Sequence, residues 1–374
     1  MELAPYLNLM VEKNASDLFF STGSTVNIKV EGATHPIHQS KLQPGQVKQL
    51  AYSIMNDKQI KSFEAEMEMN LAIAVKNIGR FRINIYRQRG EVAMVVRYIK
   101  SNIPSIEQLN LPSLLKDLVT EPRGMVLLVG STGSGKSTTL AAMIDHRNTH
   151  LTGHILTIED PIEFIHSHKK SVVDQREVGL DTLNYSNALK NAMREAPDVI
   201  LIGEIRDRET MQHAISYAET GHLCLSTLHA NNAYQTLERI INFFPESNHD
   251  QLLKDMALNL RAVVAQRLLI GKDGKRIPAV EIMLNTPYIS ELIEKGEIEK
   301  IHDAMENSRD IGMQTFDHAI FELYKNGRIE LEEALSHAES RNNLQVMIRM
   351  ANGIDENDVS PGLSIDDIVP NQKQ

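Results

Sequence analysis

The sequence predicts an α/β protein of two domains: a small α+β domain at the N-terminus, and a larger domain with a mostly parallel sheet that ends in helices. Three observations support this prediction. The chain has 374 residues, about two to three times the length of a typical domain. Before residue 100, apolar and polar residues alternate, as in half-buried antiparallel strands. After residue 122, apolar runs, glycine-rich turns and helical segments alternate, as in parallel sheets covered on both faces.

The first domain is expected to span residues 1–100. Its alternation is clearest at residues 26–30 and 81–85, where every second residue is apolar. Between these strands, residues 45–56 and 59–67 are compatible with helices. The pattern therefore predicts an antiparallel sheet with two helices inserted between its strands.

The second domain is expected to span residues 123–350, after a proline-containing linker at residues 101–122. Its strands are predicted at residues 125–129, 155–158, 199–202 and 223–228, and helices are predicted to begin at Lys136, Asp207 and Tyr234. After residue 249 helices dominate, apart from a predicted hairpin at residues 267–270 and 277–284. Residues 351–374 hold five acidic residues and one lysine, and are predicted to form a disordered acidic tail.

The composition excludes several classes of protein. The net charge of −10 argues against a protein that mainly coats nucleic acid. Cys224 is the single cysteine, which excludes internal disulfides and zinc sites built on paired cysteines, and fits a reducing compartment. No apolar run approaches the roughly 18 residues that a membrane span requires. A cytoplasmic protein without a membrane span is therefore expected.

A phosphate-binding loop is the strongest local signal. Residues 130–137 read Gly-Ser-Thr-Gly-Ser-Gly-Lys-Ser and match G-x-x-x-x-G-K-[ST] between an apolar strand and a helix. The backbone N–H groups of such a loop bind oligophosphates, Lys136 would reach the β and γ phosphates, and Ser137 would bind Mg²⁺. The alternative is a glycine-rich turn with a solvated lysine. The predicted nucleotide-binding residues are Ser131, Thr132, Gly133, Ser134, Gly135, Lys136, Ser137 and Thr138.

Two groups of acidic residues follow apolar strands. Glu204 comes two residues after the end of the strand at residues 199–202 and is the candidate for orienting or deprotonating the attacking water. An ordinary Walker B strand ends in an aspartate, which binds the metal, followed by a glutamate. Here Gly203 stands in the position of that aspartate. Glu163 belongs to the acidic segment at residues 157–163, at the edge where ligands bind in open α/β sheets. In both cases the alternative is a solvated acid at a strand end.

Histidines and arginines are further candidates. His222 and His229 flank one strand and cannot share a metal within it; we assign to each a role in sensing phosphate or a neighbouring subunit, against the alternative of a structural histidine. Arg82 and Arg97 lie in the first domain, and arginines from a separate domain can stabilise charge on a triphosphate. The alternative is that they are solvated strand residues.

Taken together, these residues resemble the hexameric ATPases of the secretion superfamily, and within them the type IV pilus retraction ATPases. The resemblance covers about residues 1–350 and is carried by the motifs at residues 16–18, 130–138, 157–163, 179–182, 203–207, 221–231 and 312–317. It implies a PAS-like N-terminal domain, a RecA-like ATPase domain, a ring of six subunits, and nucleotide between the two domains. It also implies that Glu204 is the catalytic glutamate, that Glu163 belongs to an acidic box and His222 and His229 to a histidine box, and that Arg82 and Arg97 reach the phosphates.

One departure points to the accessory members of this family. Residues 288–295 read Tyr-Ile-Ser-Glu-Leu-Ile-Glu-Lys, whereas the main retraction motor carries Ala-Ile-Arg-Asn-Leu-Ile-Arg-Glu. Both motif arginines are replaced, so this resemblance implies an accessory motor that acts with the main pilus retraction ATPase. The other implied partners are further copies of the chain in a homo-hexamer and an inner-membrane platform protein of the pilus, which would place the protein peripherally at the inner membrane.

Three other functions stay open. An ATP-binding structural subunit with little hydrolysis would fit the replaced motif, although Lys136, Glu163 and Glu204 count against it. An extension or secretion ATPase resembles this chain but carries a four-cysteine zinc subdomain, which one cysteine cannot form. A DNA-translocating motor would require basic channel residues.

Overall fold

The computed structural model describes residues 2–30, 32–76 and 78–351. The chain forms two compact units. The first unit comprises the chain up to residue 103 together with residues 156–168 and 173–192, and the second comprises residues 104–155, 169–172 and the chain from residue 193 onward. The acidic tail predicted at residues 351–374 lies outside the described residues, except for Ala351.

The first unit is built on an antiparallel sheet. Its elements up to residue 100 are α1 (Ala4–Glu12), β1 (Asp17–Ser21), β2 (Asn27–Val30), β3 (Ala33–Pro36), α2 (Gln46–Ser53), α3 (Asp57–Glu66), β4 (Glu68–Val75), β5 (Gly79–Gln88) and β6 (Glu91–Ile99). The six strands have the order β3-β2-β1-β6-β5-β4. The alternation at residues 81–85 places Phe81, Ile83 and Ile85 on one buried face. The predicted antiparallel sheet with two inserted helices is therefore what this part of the chain forms.

Beyond residue 100 the chain adopts the expected alternation of strands and helices. In chain order the elements are α4 (Leu114–Thr120), β7 (Gly124–Val129), α5 (Lys136–His150), β8 (Gly153–Glu159), β9 (Ser171–Glu177), α6 (Tyr185–Ala192), β10 (Val199–Ile202), α7 (Arg208–Glu219), β11 (Leu223–Leu228), α8 (Ala233–Asn242), α9 (His249–Asn259), β12 (Leu260–Ile270), β13 (Arg276–Leu284), α10 (Pro287–Lys295), α11 (Ile301–Glu306), α12 (Phe316–Lys325), α13 (Leu331–His337) and α14 (Arg341–Ala351).

The second sheet has the order β13-β12-β7-β11-β10-β8-β9. β7 pairs in parallel with β11 and β12, and β10 pairs in parallel with β11, whereas β12 and β13 are antiparallel. Every residue of β7, β10 and β11 is buried, which explains why these strands are continuous apolar runs in the sequence. Their carboxyl ends meet at one edge, and the loops that leave this edge carry most of the predicted site.

Two parts of the structure differ from the sequence predictions. The segment expected to be a linker contains helix α4, which buries Leu115, Leu118 and Val119; these residues have the i, i+3, i+4 spacing of a helix, but the helix is only seven residues long and lies in a proline-containing segment. The first strand of the predicted hairpin begins at Leu260 rather than at residue 267, because its first half pairs with β7.

Candidate functional site

The phosphate-binding loop connects β7 to α5, as predicted, and its glycines adopt conformations that other residues rarely reach. Gly130, Gly133 and Gly135 have φ angles of 149°, 79° and 92°. A Cβ atom on Gly130 would lie 2.5 Å from the carbonyl oxygen of Gln266, and one on Gly135 would lie 2.8 Å from Gln266 Nε2. Only glycine fits these positions without moving the loop.

The loop offers donors suited to a phosphate chain. The Lys136 ammonium donates to the carbonyl oxygens of Gly130 and Ser131 at 2.8 and 2.9 Å, so it lies folded against the loop. The Ser134 hydroxyl is buried and has no hydrogen-bond partner among the described residues. A buried hydroxyl is costly without a partner, and a bound phosphate oxygen would supply one. The glycine cradle, the unsatisfied hydroxyl and the ammonium together fit a nucleotide.

The remaining predicted nucleotide-binding residues lie along the same loop and the first turn of α5. Ser131, Thr132 and Gly133 are exposed, and Ser137 and Thr138 are half-buried. One residue further, the buried Thr139 hydroxyl donates to Gln266 Oε1 at 2.7 Å. Because Gln266 lies on β12, this hydrogen bond fixes the start of α5 to the sheet.

Glu204 follows β10 at the same edge of the sheet. Its Oε2 accepts a hydrogen bond from Arg206 Nε at 2.7 Å, and its Oε1 lies 3.1 Å from His229 Nε2. The preceding backbone is fixed to β11, because Thr227 Oγ1 donates to the Gly203 carbonyl at 2.7 Å. The carboxylate is therefore held in one orientation and remains partly open to solvent.

The two predicted histidines lie at opposite ends of β11, as expected from their spacing. His229 follows the carboxyl end and, with Gly130 and Ser131, lines a cavity of about 510 Å³. His222 precedes the amino end, where Thr220 Oγ1 and the Tyr217 carbonyl lie 3.1 and 3.2 Å from its Nδ1. A strand of this length separates its ends by about 20 Å, so the structure groups His229, but not His222, with the phosphate-binding loop of the same subunit.

The acidic segment of the first unit contains three carboxyl groups, of which Asp160 and Glu163 are exposed and Glu159 is partly buried. Glu159 accepts hydrogen bonds from Thr157 Oγ1 at 2.6 Å and from Gln175 Nε2 at 3.3 Å. Burial, opposed by the two hydrogen bonds and assisted by the charge of Glu163, raises the pKa of Glu159 to about 7. Glu159 is thus a carboxyl group that changes charge near neutral pH.

Arg82 and Arg97 lie directly opposite each other on β5 and β6. Arg97 Nε donates to Asp17 Oδ1 at 2.8 Å, and Arg82 Nη1 lies 3.7 Å from Glu177 Oε1. Glu177 is fully buried and Asp17 is nearly so. Burial raises the pKa of Glu177, and the positive charge of Arg82 opposes that rise. Arg97 is therefore hydrogen-bonded to a buried carboxyl group, and Arg82 lies within ion-pair distance of another.

Comparisons with known proteins now identify the family. The model of the family described as Type II/IV secretion system protein matches residues 2–344. The chain belongs to this family. It is 50% identical to the type IV pilus ATPase PilU of Pseudomonas aeruginosa, over 98% of this chain and 97% of that protein. It is 41% identical to the type IV pilus retraction ATPase PilT of the same organism, over 90% of this chain and 98% of that protein.

A solved structure agrees with this assignment. The crystal structure of the pilus retraction motor PilT with bound ADP matches with a TM-score of 0.87 and 37% identity, over 93% of this chain and 100% of that chain. The predicted fold class, with an N-terminal domain and a RecA-like ATPase domain, is confirmed, and so is the prediction of a retraction-type ATPase. As an ATPase of this family, the chain binds nucleotide.

Several residues that support the predicted site residues could not be found from the sequence. The partner of Arg82, Glu177, lies in a strand rich in charged residues that has no apolar alternation to reveal it. Gln266 lies far along the chain from the loop that it supports. The pairing of Arg82 with Arg97 had a usable signal: the two-residue turn at Arg89 and Gly90, both with positive φ, fixes the register of the hairpin.

The described residues contain no helix long and apolar enough to cross a membrane. They also contain no group of three or more histidine, cysteine, aspartate or glutamate side chains that could hold a metal ion. Ser137 stays the predicted protein ligand for Mg²⁺.

Proposed function

We propose that this protein is an accessory motor of type IV pilus retraction, which assembles as a homo-hexamer and converts ATP hydrolysis into mechanical work on the pilus base. The observation that supports this proposal is that two groups lie at one edge of the sheet. The loop with Lys136 follows β7, Glu204 follows β10, and both strands pair in parallel with β11. One group can bind phosphates and the other can activate water. Relatives named as a pilus ATPase and a pilus retraction ATPase support the choice of mechanical task.

Within the second unit, we assign phosphate binding to the loop from Ser131 to Thr138, with Lys136 as its cation. Ser137 is the protein ligand for Mg²⁺, which would neutralise phosphate charge when bound. Glu204 accepts the proton of the attacking water, and His229 holds Glu204 in position. We assign to His222, which lies at the opposite end of β11, a role in contact with a neighbouring subunit.

Within the first unit, we assign stabilisation of developing phosphate charge to Arg82 and Arg97. Guanidinium groups are suited to this task, because they stay charged and donate hydrogen bonds in a fixed plane. Their buried partners, Glu177 and Asp17, reduce the number of side-chain conformations available to each arginine. We assign to Glu163, which is exposed near Glu159 in the same unit, a catalytic role as a further acid.

We further propose that residues 1–100 act as a PAS-like domain and residues 123–350 as a RecA-like ATPase domain, joined by residues 101–122. The proposed partners are the main pilus retraction ATPase and an inner-membrane platform protein, so that the protein works peripherally at the inner membrane from the cytoplasm. A partner that is neither nucleic acid nor lipid is consistent with a net charge of −10.

A second candidate function is a nucleotide-binding structural subunit that supports a partner ring. The surface of α10 favours it: Tyr288, Glu291 and Glu294 are exposed there, where the main motors carry a motif with two arginines. Such a subunit would bind ATP without appreciable turnover.

Steady-state ATP hydrolysis in the presence of Mg²⁺ separates these functions. Glu204→Gln should retain nucleotide binding and lose roughly 10²–10⁴-fold in kcat, because only proton acceptance is removed. Lys136→Ala should weaken nucleotide binding itself. Lys272→Ala and Glu330→Gln, which alter an exposed ion pair of 3.4 Å, are matched controls and should behave as wild type.

Two outcomes would each overturn part of this proposal. Wild-type protein that binds ATP but turns it over no faster than Glu204→Gln would favour the structural subunit. Light scattering in the same buffer reports the oligomer, and a monomer under conditions that support full turnover would refute the hexamer.

A further inference from the structure

A C-terminal segment contacts the loop that carries His229. Glu339, between α13 and α14, accepts a hydrogen bond on Oε1 from Asn232 Nδ2 at 2.8 Å and a second from Arg267 Nη2 at 3.1 Å. The other end of the Arg267 guanidinium donates to the His337 carbonyl at 2.9 Å. Glu339 thus joins the C-terminal helices to a residue three positions after His229. We call the four residues Asn232, Arg267, Asp317 and Glu339 the C-terminal clamp.

The clamp is rigid on its C-terminal side. The backbone N–H groups of Glu339 and Ser340 donate to the two carboxylate oxygens of Asp317 at 2.7 and 2.9 Å. Asp317 lies in the first turn of α12 and is buried. The guanidinium of Arg267 lies 4.0 Å from the ring centre of the buried Phe316, a favourable cation–π distance. Glu339, which binds Asn232, and Arg267, which binds Glu339, are therefore both fixed by contacts with α12.

The clamp is equally fixed on the side of the ATPase site. Asn232 is buried and caps α8, since its Oδ1 accepts from Gln235 N–H at 3.1 Å. The next residue, Ala233, donates its N–H to the buried carboxyl of Glu281 at 2.8 Å. Between Asn232 and the end of β11 stand only residues 229–231. With so short a loop, the position of His229 depends on where Asn232 is held.

We propose that Glu339 is a positioning residue of the ATPase site, which holds Asn232 so that His229 stays on Glu204, and that helices α12–α14 thereby set the rate of hydrolysis. This inference rests on the proposed function only in taking Glu204 as the group that activates water. Its physical basis is the 2.8 Å hydrogen bond that joins the buried Asn232 directly to the segment between α13 and α14. Removal of the acceptor leaves the buried Asn232 amide unsatisfied and frees the loop.

Steady-state kinetics of Glu339→Ala provide the first test. We expect kcat to fall roughly ten-fold while KM for ATP changes less than about two-fold, since the phosphate-binding loop is untouched. Glu339→Gln is the conservative variant: its amide oxygen can accept from Asn232 in the same place, so it should restore most of kcat. Glu330→Gln, an exposed acid of the same C-terminal region, is the control and should match wild type.

A double-mutant cycle with His229→Ala distinguishes positioning from general destabilisation. If Glu339 acts through His229, Glu339→Ala should lower kcat little further once His229 has been removed. An equal ten-fold loss in both backgrounds would overturn the proposal, and so would an unchanged kcat in Glu339→Ala alone.

Hydrogen exchange gives a readout that does not depend on turnover. Backbone amides of residues 230–236 should exchange faster in Glu339→Ala than in wild type or Glu330→Gln. Unchanged exchange refutes the clamp even if ATP hydrolysis is intact. If the amides of the wild-type protein are protected but the protein does not hydrolyse ATP, the proposed ATPase function is refuted. The proposed effect of Glu339 on kcat is then refuted as well, whereas the structural role of the C-terminal clamp is supported.

Discussion

The hydrogen bond between Thr139 and Gln266 supports a quantitative prediction about the phosphate-binding loop. Both side chains are buried and their oxygen atoms lie 2.7 Å apart. Thr139→Val replaces the hydroxyl with a methyl group of similar size, so it creates no cavity, but it leaves Gln266 Oε1 buried without this donor. An unsatisfied buried acceptor costs about 1–3 kcal/mol. We expect the free energy of unfolding to fall by that amount.

The assay is unfolding in guanidinium chloride, followed by far-ultraviolet circular dichroism. The free energies of unfolding are compared for variants whose dependence on denaturant concentration has the same slope. Thr149→Val is the matched control, since the Thr149 hydroxyl donates to the Asp145 carbonyl on an exposed helix surface; it should cost less than about 0.5 kcal/mol. The double variant Thr139→Val with Gln266→Leu removes both polar partners and should recover part of the loss. A Thr139→Val effect as small as the control, or a strictly additive double variant, would refute the reasoning.

Three further predictions concern single positions. Gly130→Ala should weaken nucleotide binding roughly ten-fold or more, because its methyl group would lie 2.5 Å from the Gln266 carbonyl oxygen; titration with a fluorescent nucleotide measures this, and wild-type affinity would contradict it. Asp207→Ala removes the N-cap of α7 and should cost about 0.5–2 kcal/mol in thermal unfolding. Burial raises the pKa of Glu281 to about 8, so the folded protein retains this proton where the unfolded chain has lost it. The free energy of unfolding should then fall as pH rises from 5 to 8, and Glu281→Gln should lessen that fall; parallel pH curves for the two proteins would argue against it.

The sequence was most informative where one local pattern determines structure. The glycine positions of the phosphate-binding loop follow from backbone sterics alone, and the strands beside it are apolar because both faces of the parallel sheet are covered. Glu204 could be found for the same reason, since it lies two residues after the end of a buried strand. These features depend on neighbouring residues along the chain.

The contacts that support the site could not be predicted in the same way. Glu177 meets Arg82 across 95 positions of sequence, and Gln266 meets Thr139 across 127. The choice of hydrogen-bond partner for a buried polar side chain depends on how whole helices and strands pack. No periodicity in the sequence reveals that choice. Helix α4 was missed for a different reason: its apolar residues have helical spacing, but the helix is only seven residues long and lies in a proline-containing segment.

The two contacts of Glu204 have a consequence for an idle enzyme. One carboxylate oxygen accepts from Arg206 and the other lies within hydrogen-bonding distance of His229. A carboxylate oxygen has two lone pairs, so each can accept one further hydrogen bond, from a water molecule about to lose its proton, while both neighbours stay in place. Before any turnover, the two contacts therefore fix the directions from which such a water can approach Glu204.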